Sequence, residues 1–349
     1  MQAPDRETTA TVGPVADTAT PQPAGSPAGD RERALGSRVA GGLLRGFTLI
    51  GFAVMFAVFA FLSPDVFPTA DNIKSILDLS SPIVIVAVGL TVVLVVGEFD
   101  LSFTGLISLV AVVSVKLMEG GASTTVAVIA GIAVGIAGGM VAGLLVAAER
   151  ASSFIVTLAL GAVWGGVALG ISGGGGSTVA VATETYMDLA QRQLAGVQIT
   201  IVYALVVAVL GAALLRYTVF GREATAIGNN PRAALLAGIG LVTTRVGAFA
   251  VMGLCSALAA IILSARTGQF SPDMAGGMLI PPFVAAFFGT SVLMAGRFNV
   301  FGSVVGALFI ATLQTGLIVQ GLLDWVSSLI VGCALIIILF IASQSRSSR

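Results

Sequence analysis

Ten apolar runs, separated by short polar or glycine-containing breaks, leave this chain few ways to fold. They fall at about 43–62, 82–97, 101–118, 124–147, 153–171, 199–215, 246–264, 282–295, 300–319 and 325–342. A helix needs roughly 20 apolar residues to cross about 30 Å of hydrocarbon. Backbone polar groups find no water at that depth, so helices are the default, and nothing here alternates like a barrel strand. Composition agrees: 56% of residues are hydrophobic and 10% charged, with a mean hydropathy of +1.03, against a charged share of about 25% in soluble domains. The expected fold class is an all-α polytopic membrane protein, a bundle of about ten transmembrane helices.

The ends are polar. Residues 1–40 are rich in Ala, Thr, Pro, Gly and charge, a composition that cannot build a core and predicts a disordered cytoplasmic tail. That segment is too long and too mixed in charge for a signal peptide, so the first run reads as an uncleaved anchor. Residues 41–345 form the transmembrane domain, with a cytoplasmic loop at 216–245, and 346–349 a second cytoplasmic tail. With both termini inside, the cytoplasmic side holds Arg31, Arg33, Arg38, Arg45, Arg150, Arg216, Arg222, Arg232, Arg245, Arg297, Arg346 and Arg349. The outer side holds only Lys74, Lys116, Arg192 and Arg266, so the excess of positive charge inside orients the chain. No basic patch points to nucleic acid.

Several chemistries are excluded. The chain has no histidine, which removes histidine-based catalysis and metal sites, and no catalytic or metal-ligating residue is assigned. Gly170–Gly174 matches a nucleophile elbow only formally, since Ser172 has no histidine base. Cys255 and Cys333 lie within predicted spans and read as packing residues. Lys74 and Lys116 are not preceded by a phosphate-loop glycine pattern, so any ATP must be bound by another polypeptide.

Glycine spacing carries the packing information. Gly131, Gly135, Gly139 and Gly143 recur every four residues, which lines one helix face with small residues for close approach to a neighbour. An internal echo is also present. Thr91–Asp100 aligns with Thr290–Asn299 at a shift of 199 residues, matching Thr91/Thr290, Val93/Val292, Leu94/Leu293, Gly97/Gly296 and Phe99/Phe298. Six spans separate the copies, so both cross in the same sense, as in a parallel transporter repeat. Each copy interrupts an apolar run with G-x-F-[DN], read either as a tight turn or as a broken helix. Glu98 and Arg297 occupy equivalent positions with opposite sign, and a pair between them is expected because charges at depth need partners.

The polar segment Phe220–Ile239, FGREATAIGNNPRAALLAGI, reads as turn, short helix, turn. Asn229-Asn230-Pro231 is a helix-start signal, and Gly238 and Gly240 end the short helix that follows. Leu235, Leu236 and Ile239 give that helix an apolar side facing the cytoplasm, where it needs a partner groove. The segment resembles the coupling loop of permease subunits from bacterial ABC sugar importers of the ribose/xylose/galactose type. Three more motifs, in the family's order, carry the resemblance over most of residues 45–342. They are GLTVVLVVGEFDLSFTGLISL (Gly89–Leu109), SFIVTLALGAVWGGVALGISGG (Ser153–Gly174) and FFGTSVLMAGRFNVFGSVVGALFIATLQTGL (Phe287–Leu317). Glu98-Phe99, Arg297-Phe298-Asn299 and Gln314 depart from the family's usual residues there.

The resemblance implies a multi-pass subunit of the bacterial cytoplasmic membrane that imports a monosaccharide or similar polar solute and catalyses nothing covalent. It implies ATPase-coupling residues at Phe220, Gly221, Arg222, Gly228, Asn229, Asn230, Ala234, Leu235 and Gly238. Expected partners are a cytoplasmic ABC ATPase subunit carrying ATP and Mg, an extracytoplasmic solute-binding protein, a second permease copy or paralogue, and membrane lipid. This chain itself is expected to bind no cofactor. The binding protein would meet the outer loops 172–198 and 265–281. Candidate path-lining residues, chosen as polar or aromatic groups on apolar helices, are Thr91, Asp100, Ser102, Thr104, Thr157, Trp164, Thr312 and Gln314. The alternative is an ion-coupled secondary transporter using Glu98 or Asp100, which also suits internal repeats and broken helices.

Overall fold

The computed structural model describes residues 49–148, 152–174, 179–180, 183–271, 274–290, 297–323, 325–326, 328–333 and 336. The tail expected over residues 1–40 lies outside the described residues, as do Arg150, Arg346 and Arg349. The described residues are mainly helical: α1 (Leu49–Leu62), α2 (Ala70–Val96), α3 (Phe103–Glu119), α4 (Thr124–Ala148) and α5 (Ser153–Ile171) come first. Next come α6 (Glu184–Gln191), α7 (Ile199–Tyr217), α8 (Val219–Asn229), α9 (Pro231–Leu236), α10 (Leu241–Thr267), α11 (Ile280–Gly289) and α12 (Val300–Val319). Among the described residues six helices are long and apolar enough to cross a membrane: α2, α4, α5, α7, α10 and α12. The chain is therefore a polytopic all-α membrane protein. The remaining expected spans are shorter or incompletely described: α1 begins at Leu49, α3 has 17 residues, α11 ends at Gly289, and half of 325–342 lies outside the described residues.

α2 is the central helix. Every residue from Ser80 to Leu94 is buried, as expected for a helix that is apolar all round. It starts at Ala70, well before the apolar run that marked it in the sequence. Asp71, Lys74 and Asp78 hide the first turns from a hydropathy reading, but Thr69 caps them by accepting the Asn72 N–H at 3.3 Å. Pro82 has no N–H to give to the Asp78 carbonyl four residues back. That carbonyl instead accepts from Arg266 Nη2 at 2.5 Å, and the Asp78 carboxylate pairs with the same guanidinium at 2.8 Å. A charged group on α10 thus replaces a missing helical bond on α2.

α4 lies along α10 at backbone distance. A Cβ built on Gly139 would stand 2.2 Å from the Phe249 carbonyl oxygen. One on Gly135 would meet Ala257 Cβ and the Gly253 carbonyl at 2.6 Å, and one on Gly143 would reach Val246 Cα at 2.8 Å. Gly131 faces Ser114 Oγ on α3 at 2.6 Å instead. Without a hydrophobic drive between helices in lipid, this close approach is what gains dispersion energy. α5 and α7 differ: they bury only Ser153, Thr157, Leu160 and Ala168, and Thr200, Ala204 and Gly211.

Candidate functional site

The segment between α7 and α10 folds as two helices rather than one. Thr218 Oγ1 accepts the Gly221 N–H at 3.2 Å and starts α8, which the glycines at 221 and 228 had concealed from a sequence reading. The start of α9 follows the sequence signal closely: Asn230 Oδ1 accepts the Ala233 N–H at 3.1 Å, with Pro231 in the first turn. Gly238, at φ 81°, closes it, and its N–H bonds to the Leu235 carbonyl at 3.0 Å.

The two faces of this pair have different surroundings. Gly221, Ala224, Ile227 and Ala234 are buried within the bundle, and Phe220 lies 3.0 Å from the Cβ position of Gly247. Arg222, Asn229, Asn230 and Gly238 are exposed. Leu235 and Leu236 are 59% and 89% exposed, so Ala234 turns inward while its apolar neighbours turn out.

Above α8 sits the break between α2 and α3. Gly97, in the left-handed region at φ 91°, ends α2, and the Glu98 N–H bonds back to the Val93 carbonyl at 3.2 Å. The chain runs without helix to Ser102 and then reverses as α3. Gly138 of α4 meets Leu106, yet α4 continues to Ala148 while α3 extends back only to Phe103. At 1.5 Å per residue the break therefore stops about 10 Å short of the end of α4, inside the thickness of the bundle. Side chains of α5 support it: the Phe99 and Leu101 N–H groups donate to Ser153 Oγ and Thr157 Oγ1, each at 3.0 Å. Asp100 is buried and accepts from the Ser102 N–H at 2.7 Å and the Ser102 hydroxyl at 2.6 Å.

Glu98 does not pair with Arg297. Its carboxylate lies 2.9 Å from Arg245 Nε on the first turns of α10, with the two side chains 14% and 22% exposed, whereas Arg297 is exposed. Equivalent positions in two echo copies are related by symmetry of pattern, which is no statement of contact. Arg245 was legible only as one more cytoplasmic charge.

The candidate path residues do not converge on one site. Asp100, Ser102, Thr104 and Thr157 gather at the break, with Thr104 Oγ1 3.4 Å from the Leu101 carbonyl. Thr91 is buried between α2 and α12, donating to its own Ala87 carbonyl at 2.6 Å and sharing a 2.7 Å hydrogen bond with Ser303. Thr157 likewise bonds its own Ser153 carbonyl at 2.8 Å, the habit of isolated hydroxyls on helices. Trp164 is half-buried on α5 with its indole N–H unpartnered among the described residues, and Thr312 and Gln314 lie on α12. Cys255 is buried against Gly89, but Cys333 is exposed, contrary to its reading as a packing residue.

At the opposite end the two loops flanking α6 and α10 form a cap. β1 (Val179–Ala180) pairs antiparallel with β4 (Gln269–Phe270), and β2 (Gln193–Leu194) with β3 (Val197–Gln198). Tyr186 of α6 is buried, sharing a 2.7 Å hydrogen bond with Ser264, and Gln191 Nε2 donates to the Arg266 carbonyl at 3.0 Å. Burial pushes the Tyr186 phenol above its usual range, against the bonds to Ser264 and Ser114. The cap thus joins segments that the sequence could name only as separate loops.

Comparisons agree with this arrangement. A family model described as the permease component of a branched-chain amino acid transport system matches residues 72–339. The chain is 30% identical over 298 residues to the L-arabinose ABC transporter permease protein AraH of Azospirillum brasilense, covering 85% of this chain and 87% of the relative. It is 28% identical over 309 residues to the ribose import permease protein RbsC of Escherichia coli (strain K12), covering 87% and 95%. The D-allose transport system permease protein AlsC of the same strain is 28% identical over 271 residues, covering 77% and 82%.

Proposed function

The chain belongs to the permease-component family of branched-chain amino acid transport systems, and from that premise we propose that it is the transmembrane subunit of a binding-protein-dependent ABC importer. Its cargo is a monosaccharide or similarly small polar solute, because the relatives are named for L-arabinose, ribose and D-allose. The family is one of transport components and not of enzymes, so ATP and Mg belong to a partner ATPase. The alternative of an ion-coupled transporter using Glu98 or Asp100 loses support from the Glu98–Arg245 pair and from the Ser102 bonds to Asp100, which give both carboxylates structural partners.

The observation that carries the coupling reading is α9. Its inner face is seated on the bundle through Ala234, while Leu235 and Leu236 project away from it. Apolar side chains outside a span need a protein groove, and an ATPase surface fits that need. Exposed faces of α5 and α7 suit lipid and a second permease copy or paralogue, and the β1–β4 cap suits a solute-binding protein.

Ten spans, a cytoplasmic-membrane location, both termini in the cytoplasm and a parallel repeat complete the reading. The repeat is supported by the way both echo copies lead into a helix through an Asx side chain: Asp100 accepts from Ser102, and Asn299 Oδ1 accepts the Gly302 N–H at 2.7 Å. The test is reconstitution in proteoliposomes with the partner ATPase and binding protein, using radiolabelled L-arabinose, D-ribose and D-allose. Uptake that requires both ATP and the binding protein is expected. Uptake that persists without ATP and collapses with a proton or sodium uncoupler would overturn the importer reading.

A further inference from the structure

Two contacts tie the α8–α9 pair to the buried break, one of backbone on backbone and one through a shielded ion pair. Gly228, near the end of α8, lies under the last turn of α2, where a Cβ would stand 2.0 Å from the Val95 carbonyl oxygen. A Cβ on Gly97 would in turn meet Gly228 Cα at 3.4 Å. Backbone therefore rests on backbone, and a close-packed contact of that kind passes displacement on with little compliance.

The second contact runs through α10. Glu223 of α8 accepts from Thr244 Oγ1 at 3.2 Å, and the neighbouring Arg245 holds Glu98 of the break at 2.9 Å. Both charges are largely shielded, which leaves each dependent on the other. From the break, the Phe99 and Leu101 bonds to Ser153 and Thr157 continue to α5. One short segment thus touches α2, α8, α10 and α5 together.

We propose that Gly228 and the Glu98–Arg245 pair form a joint that converts movement of α8–α9 into movement of the α2–α3 break and, through it, of α5. The proposal rests on the permease reading above. Glu98, Arg245 and Gly228 are then positioning residues for transport, and touching the cargo is no part of their role.

The joint is read at Phe99, which is 38% exposed in the break. A Cys333→Ser chain carrying Phe99→Cys is assembled with its ATPase in nanodiscs and labelled with a charged maleimide, with and without ATP plus vanadate. With the pair intact, nucleotide should change the labelling rate about fivefold, within the usual range of coupling between sites. Glu98→Gln, Arg245→Gln and Gly228→Ala should each remove that change while the ATPase still co-purifies, and Glu98→Arg combined with Arg245→Glu should restore it. A merely structural pair gives a different pattern: the variants label faster in both states and keep the nucleotide effect, which overturns the joint. No nucleotide effect in the intact, ATPase-bound chain also overturns it. Failure of the intact chain to bind its ATPase at all refutes the permease reading instead, and the joint falls with it.

Discussion

α4 and α9 expose aliphatic side chains to a similar degree for different reasons. Ile129 and Leu144 on α4 are 62% and 50% exposed, and Leu235 and Leu236 on α9 are 59% and 89% exposed. The first two sit in a 25-residue apolar helix, long enough to cross hydrocarbon, where an exposed aliphatic side chain needs no protein partner. The second two sit on a six-residue helix between α7 and α10, too short to reach into hydrocarbon by itself. Exposure therefore carries information about partners only once its place along the membrane-crossing helices is known. The inner faces teach the complementary point: α4 is held by glycines against α10, and α9 is held by its cap and Ala234.

That contrast can be broken experimentally. Gly139→Leu forces a side chain into the 2.2 Å gap before the Phe249 carbonyl and should cost about 3 kcal/mol or more, as overpacking against immovable backbone does. Thermal unfolding in detergent checks it, and a wild-type midpoint would mean the α4–α10 seam is not close-packed. Asn230→Ala removes the N-cap of α9 and should cost that helix about 1 kcal/mol. Hydrogen exchange over residues 231–237 should rise severalfold while the bundle is unaffected, and unchanged protection would show that α9 does not depend on its cap. Ile129→Ala, on the lipid face of α4, should shift stability by no more than about 0.5 kcal/mol. A large loss there would show that this face is an interface and not a lipid surface.

Much of this was legible beforehand, and the misses have physical causes. The four-residue glycine spacing marked the inner face of α4, because small residues at i and i+4 share a face whatever the neighbour is. The same kind of spacing at Gly166 and Gly170 finds nothing within 4 Å among the described residues, so spacing alone does not choose a partner. Asn229-Asn230-Pro231 located the start of α9 to within a residue, since capping is local chemistry. α8 was missed because Gly221 and Gly228 read as breaks, although Gly221, Ala224 and Ile227 share one buried face. The first turns of α2 were missed because Asp78 looks like a loop residue until Arg266 is brought to it from 188 positions away. The Glu98 partner was likewise a long-range fact, and the candidate path residues were identified by polarity, which local carbonyls satisfy at Thr91 and Thr157.

The central claim is that α9 presents its apolar face to a separate ATPase. Leu236→Asp tests it most directly, because that side chain is 89% exposed. Losing one buried leucine contact, worth roughly 1.5–3 kcal/mol, should weaken ATPase binding about 10- to 100-fold. The measurement is co-purification of the ATPase with the variant, alongside its unfolding midpoint in detergent. The account predicts an unchanged midpoint and loss of the ATPase from the purified complex. Full retention of the ATPase by a folded Leu236→Asp chain would contradict it.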